Sequence, residues 1–279
     1  MATLTVNDIT KKFKKKVALD DVSCSFSNGI TALLGPNGAG KSTLMNIMCT
    51  LLSADSGTVS YKGKNICELD EEYLGKIAIQ FQNQPMYKNY MAEEYLEFCG
   101  ALKGIDKRKI AEQSEELLKF FGLEADKKKK IATFSGGMKQ RLALCGTFLG
   151  NPEIVMLDEP SAGLDIYERE ELKNLLCELK KNCIIIVSTH IVSDIENIAD
   201  RIVLLNEGKI QSTGTQQELI ENIQEKVWEL PNDFADGDLY HTYRSNGKLL
   251  CISEEKPHAE AKAKQADMTD VYFSCITTR

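Results

Sequence analysis

Residues 35–43 read GPNGAGKST, and this stretch decides the fold. It fits the pattern G-x-x-x-x-G-K-[ST], in which glycines let backbone N–H groups curl around an anion without Cβ clashes. The apolar run GITALL at 29–34 predicts a buried strand before this turn, and LMNIMCTLL at 44–52 predicts a helix after it. That helix aims its N-terminus at the anion. A glycine-rich turn without a ligand is the alternative, but the context favours a site for a nucleoside triphosphate.

Two side chains of this phosphate loop, defined here as residues 35–43, are predicted to touch the nucleotide and its metal ion. Lys41 is placed to reach the β- and γ-phosphates, and the Ser42 hydroxyl is placed to bind Mg²⁺. The loop therefore predicts a nucleoside triphosphate and Mg²⁺ as ligands.

Outward from the phosphate loop, the sequence alternates between strand-like and helix-like segments. EIVMLDEP (153–160) and CIIIVSTH (183–190) are strand-like, and REELKNLLCELKK and SDIENIAD after them have the pattern of helices. Such alternation predicts a mainly parallel sheet in an α/β domain. The first 30 residues instead predict short antiparallel strands, and residues 88–148 have helical periodicity punctuated by glycine.

These changes of pattern give the expected domain organisation. It consists of a cassette at 1–215, with a core at 1–87 and 149–215 and a helical subdomain at 88–148, and of a small C-terminal α+β appendage at 216–279. In the appendage, Asn246 and Gly247 lie between two β-rich runs and predict a hairpin turn.

Titratable side chains end two of the predicted strands. Asp158 and Glu159 follow an apolar run, where a carboxylate can hold Mg²⁺ through water. Adjacent strand residues point to opposite faces, so we expect one carboxylate to face the metal and the other an attacking water. A lone histidine at a strand end, such as His190, is usually structural. Because ligands of parallel sheets gather at the carboxyl ends of the strands, we expect His190 to contact the γ-phosphate.

Composition limits the classes of protein to consider. A formal net charge of −7 over 279 residues does not favour a nucleic-acid partner. The nine cysteines are an odd number without a C-x-x-C pair, which predicts free thiols, a reducing compartment and no cysteine metal site. No apolar run approaches the roughly 18 residues of a membrane span, so we do not expect the chain to cross a membrane by itself.

Six ordered motifs resemble those of the ATP-binding subunit of an ABC transporter. They are GPNGAGKST, the glutamine of IAIQFQ, SGGMKQR, VMLDEP, SAGLD and STH, and the resemblance covers about residues 3–215. It implies a P-loop NTPase fold with a RecA-like core, an N-terminal antiparallel β subdomain and an inserted α-helical subdomain. It also implies ATP hydrolysis in a dimer that closes on two ATP molecules and drives separate membrane subunits.

The resemblance assigns catalytic and metal-binding roles. Glu159 matches the general base that polarises the attacking water, His190 matches the switch histidine, and Lys41 matches the lysine on the phosphates. The implied metal ligands are Ser42, Gln82 and Asp158. Gln82 is identified by counting along its strand, and Gln80 and Gln84 lie close to it.

The resemblance also implies the residues that bind the nucleotide. They are Phe13, Gly35, Pro36, Asn37, Gly38, Ala39, Gly40, Lys41, Ser42, Thr43, Ser135, Gly136, Gly137 and Asp165. Phe13 stands where the family has an aromatic ring that stacks on adenine, more often Tyr, and stacking needs the ring and not the hydroxyl. Asp165 matches a residue that communicates across the dimer.

The signature turn, defined as residues 135–137, looks like a second phosphate-binding turn but has no lysine. In the head-to-tail dimer that the resemblance implies, it caps the γ-phosphate held by the other chain, and the partner's Lys41 supplies the cation. A helix is expected to begin near Met138 and to offer its N-terminus to that phosphate. Met138 replaces the family's usual glutamine and has no physical explanation at this level. Gly137→Asp is expected to spare ATP binding to the monomer and to abolish hydrolysis.

The expected partners are a polytopic transmembrane permease and a second ATP-binding subunit, identical or related. We expect the permease to insert a short helix near residues 83–95, where Met86, Tyr87 and Tyr90 provide apolar surface. The compact cassette, the SAGLD variant and the tail MTDVYFSC resemble bacterial exporters with six-span permeases, including drug, bacteriocin and antimicrobial-peptide efflux systems. The implied location is the cytoplasmic face of the membrane.

Other functional classes fit these motifs less well. A non-transport ABC ATPase that acts on ribosomes or DNA usually carries two cassettes or a long coiled-coil insert, whereas this chain has one cassette and an insert of about 60 residues. A P-loop kinase or GTPase has no place for the SGG turn and its helical insertion. The transported substrate is set by the permease. Residues 216–279 could regulate, assist dimerisation or pack, and packing is the default.

Overall fold

A computed structural model describes residues 3–14, 16–82, 84–181, 183–231, 234, 241–245 and 247–276. Two predictions involve Asn83 and Asn246, which lie outside the described residues. The strands are β1 (Thr3–Phe13), β2 (Lys16–Ser27), β3 (Gly29–Leu34), β4 (Ser56–Tyr61), β5 (Lys64–Asn65), β6 (Ile77–Gln80), β7 (Ile154–Asp158), β8 (Ile184–Thr189), β9 (Arg201–Asn206), β10 (Lys209–Gly214), β11 (Val227–Leu230), β12 (His241–Ser245), β13 (Lys248–Ile252) and β14 (Lys262–Ala263). The α-helices are α1 (Lys41–Met48), α2 (Ile66–Leu69), α3 (Glu71–Leu74), α4 (Ala92–Leu102), α5 (Lys107–Phe120), α6 (Gly136–Phe148), α7 (Ile166–Leu179), α8 (Gln216–Glu221) and α9 (Met268–Ile276).

The central sheet has the strand order β10-β9-β3-β8-β7-β6. Its strands run parallel from β9 to β6, and β10 pairs antiparallel at one edge. Every residue of β3 and β8 is buried, because apolar clusters cover both faces of the sheet. Parallel strands end at one edge, so the phosphate loop after β3, Asp158 of β7 and Thr189 of β8 lie on the same side of the domain.

The N-terminal antiparallel sheet has the order β2-β1-β4-β5. The expectation of short strands in the first 30 residues is wrong, because β1 spans 11 residues and β2 spans 12. Asp8 and Asp21 have φ values of 54°, and the register between the strands shifts beside Asp8. Polar positions with the pattern of turns are therefore irregularities inside continuous strands, which bend the sheet without ending it.

The helical insertion is built from α4, α5 and α6, which pack on one another through the main apolar core. Helix α6 begins at Gly136, two residues before Met138 and so close to the predicted start, and the Ser135 hydroxyl caps it by accepting from the Met138 N–H. At the other end of α6, the Lys103 ammonium donates to the carbonyls of Gly146, Thr147 and Leu149 at 2.9, 2.8 and 2.7 Å. Burial lowers the pKa of this lysine to about 8.

The helix predicted for SDIENIAD (193–200) is wrong, because this segment holds only a 3₁₀ turn at Val192–Asp194. Asn197 adopts a left-handed φ of 66°, which interrupts helical geometry. The Asp194 side chain is buried, at 7% exposure, instead of facing water from a surface helix.

The C-terminal region contains a sheet of order β12-β13-β11-β14 together with α8 and α9. Pairing of Ser245 with Lys248 forms the hairpin expected around Gly247, whose φ is 78°. Asp270 is fully buried and accepts from the Tyr243 hydroxyl and the Lys264 ammonium, both at 2.5 Å. Within the described residues, none of the helices combines the length and the hydrophobicity needed to cross a bilayer.

Candidate functional site

The phosphate loop forms a cradle at the N-terminus of α1. Gly40 precedes the helix with a φ of 111°, and a Cβ there would lie 2.6 Å from the Ala18 carbonyl oxygen. Glycine is therefore required by both backbone angle and space. With no side chain to cap the helix, the N–H groups of its first turn are available to an anion.

Lys41 lies in the first turn of α1 and points back over the loop. Its ammonium donates to the carbonyls of Gly35 and Pro36 at 2.6 and 3.1 Å, and it lies 3.7 Å from Glu159 Oε1. Only 6% of Lys41 is exposed. Burial lowers the pKa of this ammonium, while the Glu159 and Asp158 carboxylates oppose that shift. A buried cation held by neutral carbonyls and one carboxylate is suited to receive phosphate charge.

Oxygen groups suited to a magnesium ion lie beside this lysine. The Ser42 hydroxyl donates to Asp158 Oδ2 at 2.9 Å, and the Ser188 hydroxyl donates to the other Asp158 oxygen. Hydroxyl and carboxylate oxygens are the ligands that Mg²⁺ prefers, so these residues fit the ion. Across the described chain, no cluster of three His, Cys, Asp or Glu side chains could hold a metal alone.

Glu159 and His190 face each other at the strand ends. His190 Nδ1 lies 3.0 and 2.9 Å from the two carboxylate oxygens of Glu159, and an ionised carboxylate can only accept from it. The expectation that Asp158 and Glu159 point to opposite strand faces is wrong. Strand β7 ends at Asp158 and Glu159 has a φ of 51°, so the backbone turns and both carboxylates reach the same site.

The cavity around the phosphate loop has a volume of about 250 Å³. Its lining residues are Phe13, Lys16, Ala18, Asn37, Gly38, Gly40, Lys41, Ser42, Thr43, Gln82 and Glu159. Phe13 is 47% exposed, as a ring needs to be if it is to stack on a base. Gln82 lines this cavity, whereas Gln80 is 2% exposed at the end of β6 and does not.

The signature turn lies apart from that cavity and contacts the start of α7. The Gly137 N–H donates to Glu168 Oε1 at 3.0 Å. Asp165 caps α7 by accepting from the Glu168 N–H at 2.8 Å, and Glu168 Oε2 accepts from the Asp165 N–H at 3.3 Å. A carboxylate of the same chain thus occupies one of the donors that the sequence assigned to a phosphate.

Comparison with known proteins agrees with this geometry. The family profile described as "ABC transporter" matches residues 19–162. The chain belongs to the ABC transporter family. Among curated relatives of this ABC ATPase is the "Uncharacterized ABC transporter ATP-binding protein YxlF" of Bacillus subtilis (strain 168). It is 38% identical over 259 residues, which cover 92% of this chain and 82% of the relative.

A second relative and a solved structure extend the similarity. The "Lantibiotic transport ATP-binding protein SrtF" of Streptococcus pyogenes is 34% identical over 209 residues, or 74% of this chain and 88% of the relative. The crystal structure of the ADP conformation of MJ1267, an ATP-binding cassette of an ABC transporter, matches with a TM-score of 0.72 and 28% identity. It covers 80% of this chain and 94% of that chain. The predicted P-loop NTPase fold and the ATPase activity of this ABC ATPase are therefore confirmed.

Several residues of the ABC ATPase site were not singled out from the sequence. They are Lys16 in the cavity, Ser188 on Asp158, Glu168 on the signature turn, and Gln140, whose amide donates to the Pro160 carbonyl at 2.6 Å. Only Glu168 had a local signal, because an acid three residues after Asp165 completes a capping box. The other three come from sequence positions distant from their partners.

Proposed function

We propose that this chain is the ATP-hydrolysing subunit of a membrane exporter of peptides or drugs, working as a dimer on the cytoplasmic face beneath separate permease subunits. The observation that carries the hydrolytic part is the convergence of Lys41, Ser42, Asp158, Glu159 and His190 at one edge of the sheet. The relative whose name includes lantibiotic transport supports a peptide substrate.

In this proposal, each group at the sheet edge has a distinct task. Lys41 neutralises the β- and γ-phosphates, and a bound Mg²⁺ would supply further charge at the leaving phosphate. Ser42, Asp158 and Gln82 would hold that ion. Glu159 polarises the attacking water, and the His190 imidazole, already in contact with Glu159, keeps the carboxylate oriented and reaches the γ-phosphate.

The signature turn completes the site in a head-to-tail dimer. Ser135 to Gly137 would cap the γ-phosphate of the nucleotide bound to the second copy, since their N–H groups stand at the start of α6. In this proposal the Gly137 N–H exchanges Glu168 Oε1 for a phosphate oxygen. Asp165, at the N-terminus of α7 next to Glu168, would lie at the same contact. We also propose that residues 1–215, which include the helical subdomain at 88–148, form the cassette that drives transport.

An aromatic cluster on α4 and on the segment just before it supports a permease partner. The rings of Tyr87 and Tyr90 stack with centroids 5.1 Å apart, and Phe98 packs edge-on to Tyr87 at 5.3 Å. Tyr87 is nevertheless 53% exposed, which leaves apolar surface for a short helix of the permease. The proposed docking stretch, residues 83–95, contains Tyr87 and Tyr90.

The experiment that tests the proposal compares Glu159→Gln with wild type, purified with the native membrane partner. We expect ATP affinity to remain and turnover to fall by at least about 100-fold, because the variant loses the base but keeps the shape. Glu207→Gln makes the same change at an exposed position outside the site, where φ is likewise positive, and it should retain wild-type turnover. Wild-type turnover in Glu159→Gln contradicts the base assignment, and co-purification with ribosomes or DNA instead of a permease contradicts the transport role.

A further inference from the structure

Behind the pair of Glu159 and His190 lies a buried carboxylate that the mechanism does not use. Asp194 is 7% exposed and belongs to the 3₁₀ turn that follows β8. It accepts from three side chains on three different segments. A buried charge is usually satisfied by hydrogen bonds. Two of the side chains that satisfy Asp194 lie close to the catalytic residues in sequence.

The first two partners flank the catalytic pair. The Ser161 hydroxyl, two residues beyond Glu159, donates to Asp194 Oδ2. The Thr189 hydroxyl, immediately before His190, lies 3.3 Å from the same oxygen. Both residues are buried, at 4% and 0% exposure. Asp194 therefore links the Glu159 loop to the end of β8 through Ser161 and Thr189. This link is separate from the direct contact between Glu159 and His190.

The third partner connects this joint to α7 and to the end of the Glu159 loop, which spans residues 159–165. Arg169 Nη1 lies 3.3 Å from Asp194 Oδ1, and Arg169 Nε donates to the Leu164 carbonyl at 3.2 Å. Arg169 is on the first turns of α7, the helix that Asp165 caps. One carboxylate of the His190 loop thus reaches the Glu159 loop, the end of β8 and the start of α7, which is proposed to face the second copy.

We propose that Asp194 is a positioning residue that holds the Glu159 loop, the His190 loop and the start of α7 in register and thereby sets the contact between Glu159 and His190. This inference rests on the proposed roles of those two residues. Misplacing a reacting group by about 1 Å can cost on the order of 100-fold in rate, so a joint this close to the base acts on turnover. Asp194 contacts no part of the phosphate cradle among the described residues, so nucleotide affinity should be independent of it.

The test is Asp194→Asn, measured for turnover, for affinity toward a non-hydrolysable ATP analogue and for thermal unfolding. The amide has one acceptor oxygen and cannot satisfy both hydroxyls and Arg169 together. We expect kcat to fall about 10-fold or more, with analogue affinity within about twofold of wild type. If the role of Asp194 were merely structural, Asp194→Asn would lower the unfolding temperature without a fall in kcat at unchanged analogue affinity.

Asp200→Asn is the matched control. Asp200 accepts a backbone N–H, from Ile30 at 2.8 Å, and pairs with Lys180 at 2.8 Å. It lies at the far end of the connection that begins at His190, and within the described residues it bonds to neither Ser161 nor Thr189. This variant should lose stability and keep wild-type kcat. If Asp194→Asn behaves like Asp200→Asn, the positioning inference is overturned.

Two further variants keep the inference falsifiable if Asp194→Asn does not fold. Ser161→Ala and Thr189→Val each remove one hydroxyl and leave Asp194 paired with Arg169. Each should lower kcat while keeping analogue affinity, and Ser161→Ala should add little to Asp194→Asn in the double variant because both break one joint. Full kcat in both hydroxyl variants overturns the inference. Glu159→Gln, assayed in parallel, separates the outcomes: wild-type turnover there contradicts the proposed base itself.

Discussion

At the residue scale, the signature turn shows how one glycine differs from its neighbour. A Cβ on Gly137 would lie 2.1 Å from Glu168 Oε1 and 2.4 Å from its carboxyl carbon. A Cβ on Gly136 would meet only the Gly163 carbonyl oxygen, at 3.9 Å. Met138, which the sequence left unexplained, packs its side chain against the main core beneath the same turn. Gly137 is thus required by the lack of space beside Glu168, whereas Gly136 has room for a side chain.

This difference predicts unequal stabilities for two alanine variants. Gly137→Ala should lower the free energy of unfolding by about 1–2 kcal/mol, because Glu168 must leave the Gly137 N–H and the capping box. Gly136→Ala should be neutral or stabilise by up to about 0.5 kcal/mol, because alanine favours a helix more than glycine does. Urea unfolding of the nucleotide-free monomer measures both values. Equal losses in the two variants would contradict the assigned contact.

At the element scale, Glu153 links the N-terminal sheet to the central sheet. Placed just before β7, its carboxylate accepts from the Tyr61 hydroxyl at 2.5 Å, from Lys62 at 2.6 Å and from Lys76 at 2.7 Å. Hydrogen bonds from Lys62, Lys76 and Tyr61 lower the pKa of Glu153 from 4.5 to about 2. Tyr61 is the last residue of β4, Lys62 lies in the turn before β5, and Lys76 precedes β6, so a single side chain joins the two sheets.

The lowered pKa predicts a stability difference that depends on pH. A carboxylate with a depressed pKa stabilises the fold above its unfolded pKa of 4.5 and loses this contribution as pH falls towards about 2. Glu153→Gln should cost about 1 kcal/mol at pH 7, a figure reduced for solvent screening of a partly exposed side chain. Urea titrations should show this difference shrink by about half at pH 3.

The exposed pair of Glu97 and Lys107 supplies the control for that experiment. These side chains are 54% and 85% exposed at 2.8 Å, so Glu97→Gln should change stability by less than about 0.5 kcal/mol at either pH. A Glu153→Gln cost that does not vary with pH would show that shape, and not charge, gives Glu153 its effect.

At the scale of the whole molecule, the active site depends on parts that are far apart in the chain. The phosphate loop and the signature turn both offer helix N-termini to anions, but only the former lines the nucleotide cavity. The C-terminal region also reaches this edge of the domain, because α9 packs on the turn at Val192–Asp194 and the Asn206 amide donates to the Cys275 carbonyl at 3.1 Å. Assembly of two copies is the proposed way to unite the two anion sites.

That assembly predicts rescue between two inactive variants. Lys41→Ala lacks the phosphate lysine and Gly137→Asp lacks a usable signature turn, so each alone should hydrolyse little ATP. Mixed in equal amounts, random pairing should restore about a quarter of the wild-type rate, since half of the dimers contain one intact site. Separate measurements of ATP binding should show that Gly137→Asp is folded. Absence of rescue at any mixing ratio would contradict a site shared between copies.

Local spacing in the sequence was enough for the features that depend on near neighbours. The phosphate loop and the buried strands β3 and β8 follow from glycine positions and runs of apolar residues, because each is built from contiguous chain. Spacing also placed Lys41, Ser42, Asp158, Glu159 and His190 at one edge, because parallel strands end together. The role of each residue stays a prediction.

What only the tertiary structure decided are the contacts between segments far apart in sequence. Three features depend on how the loops at the sheet edge pack on one another. They are the hydrogen bond of Gly137 with Glu168, the joint at Asp194, and the position of Gln82 rather than Gln80 at the cavity. The failed helix at 193–200 has the same origin, since Asp194 is taken up by Ser161 and Arg169 and the left-handed Asn197 interrupts the segment. Periodicity shows which face of a segment is apolar. It does not show which side chains of another segment pack against that face.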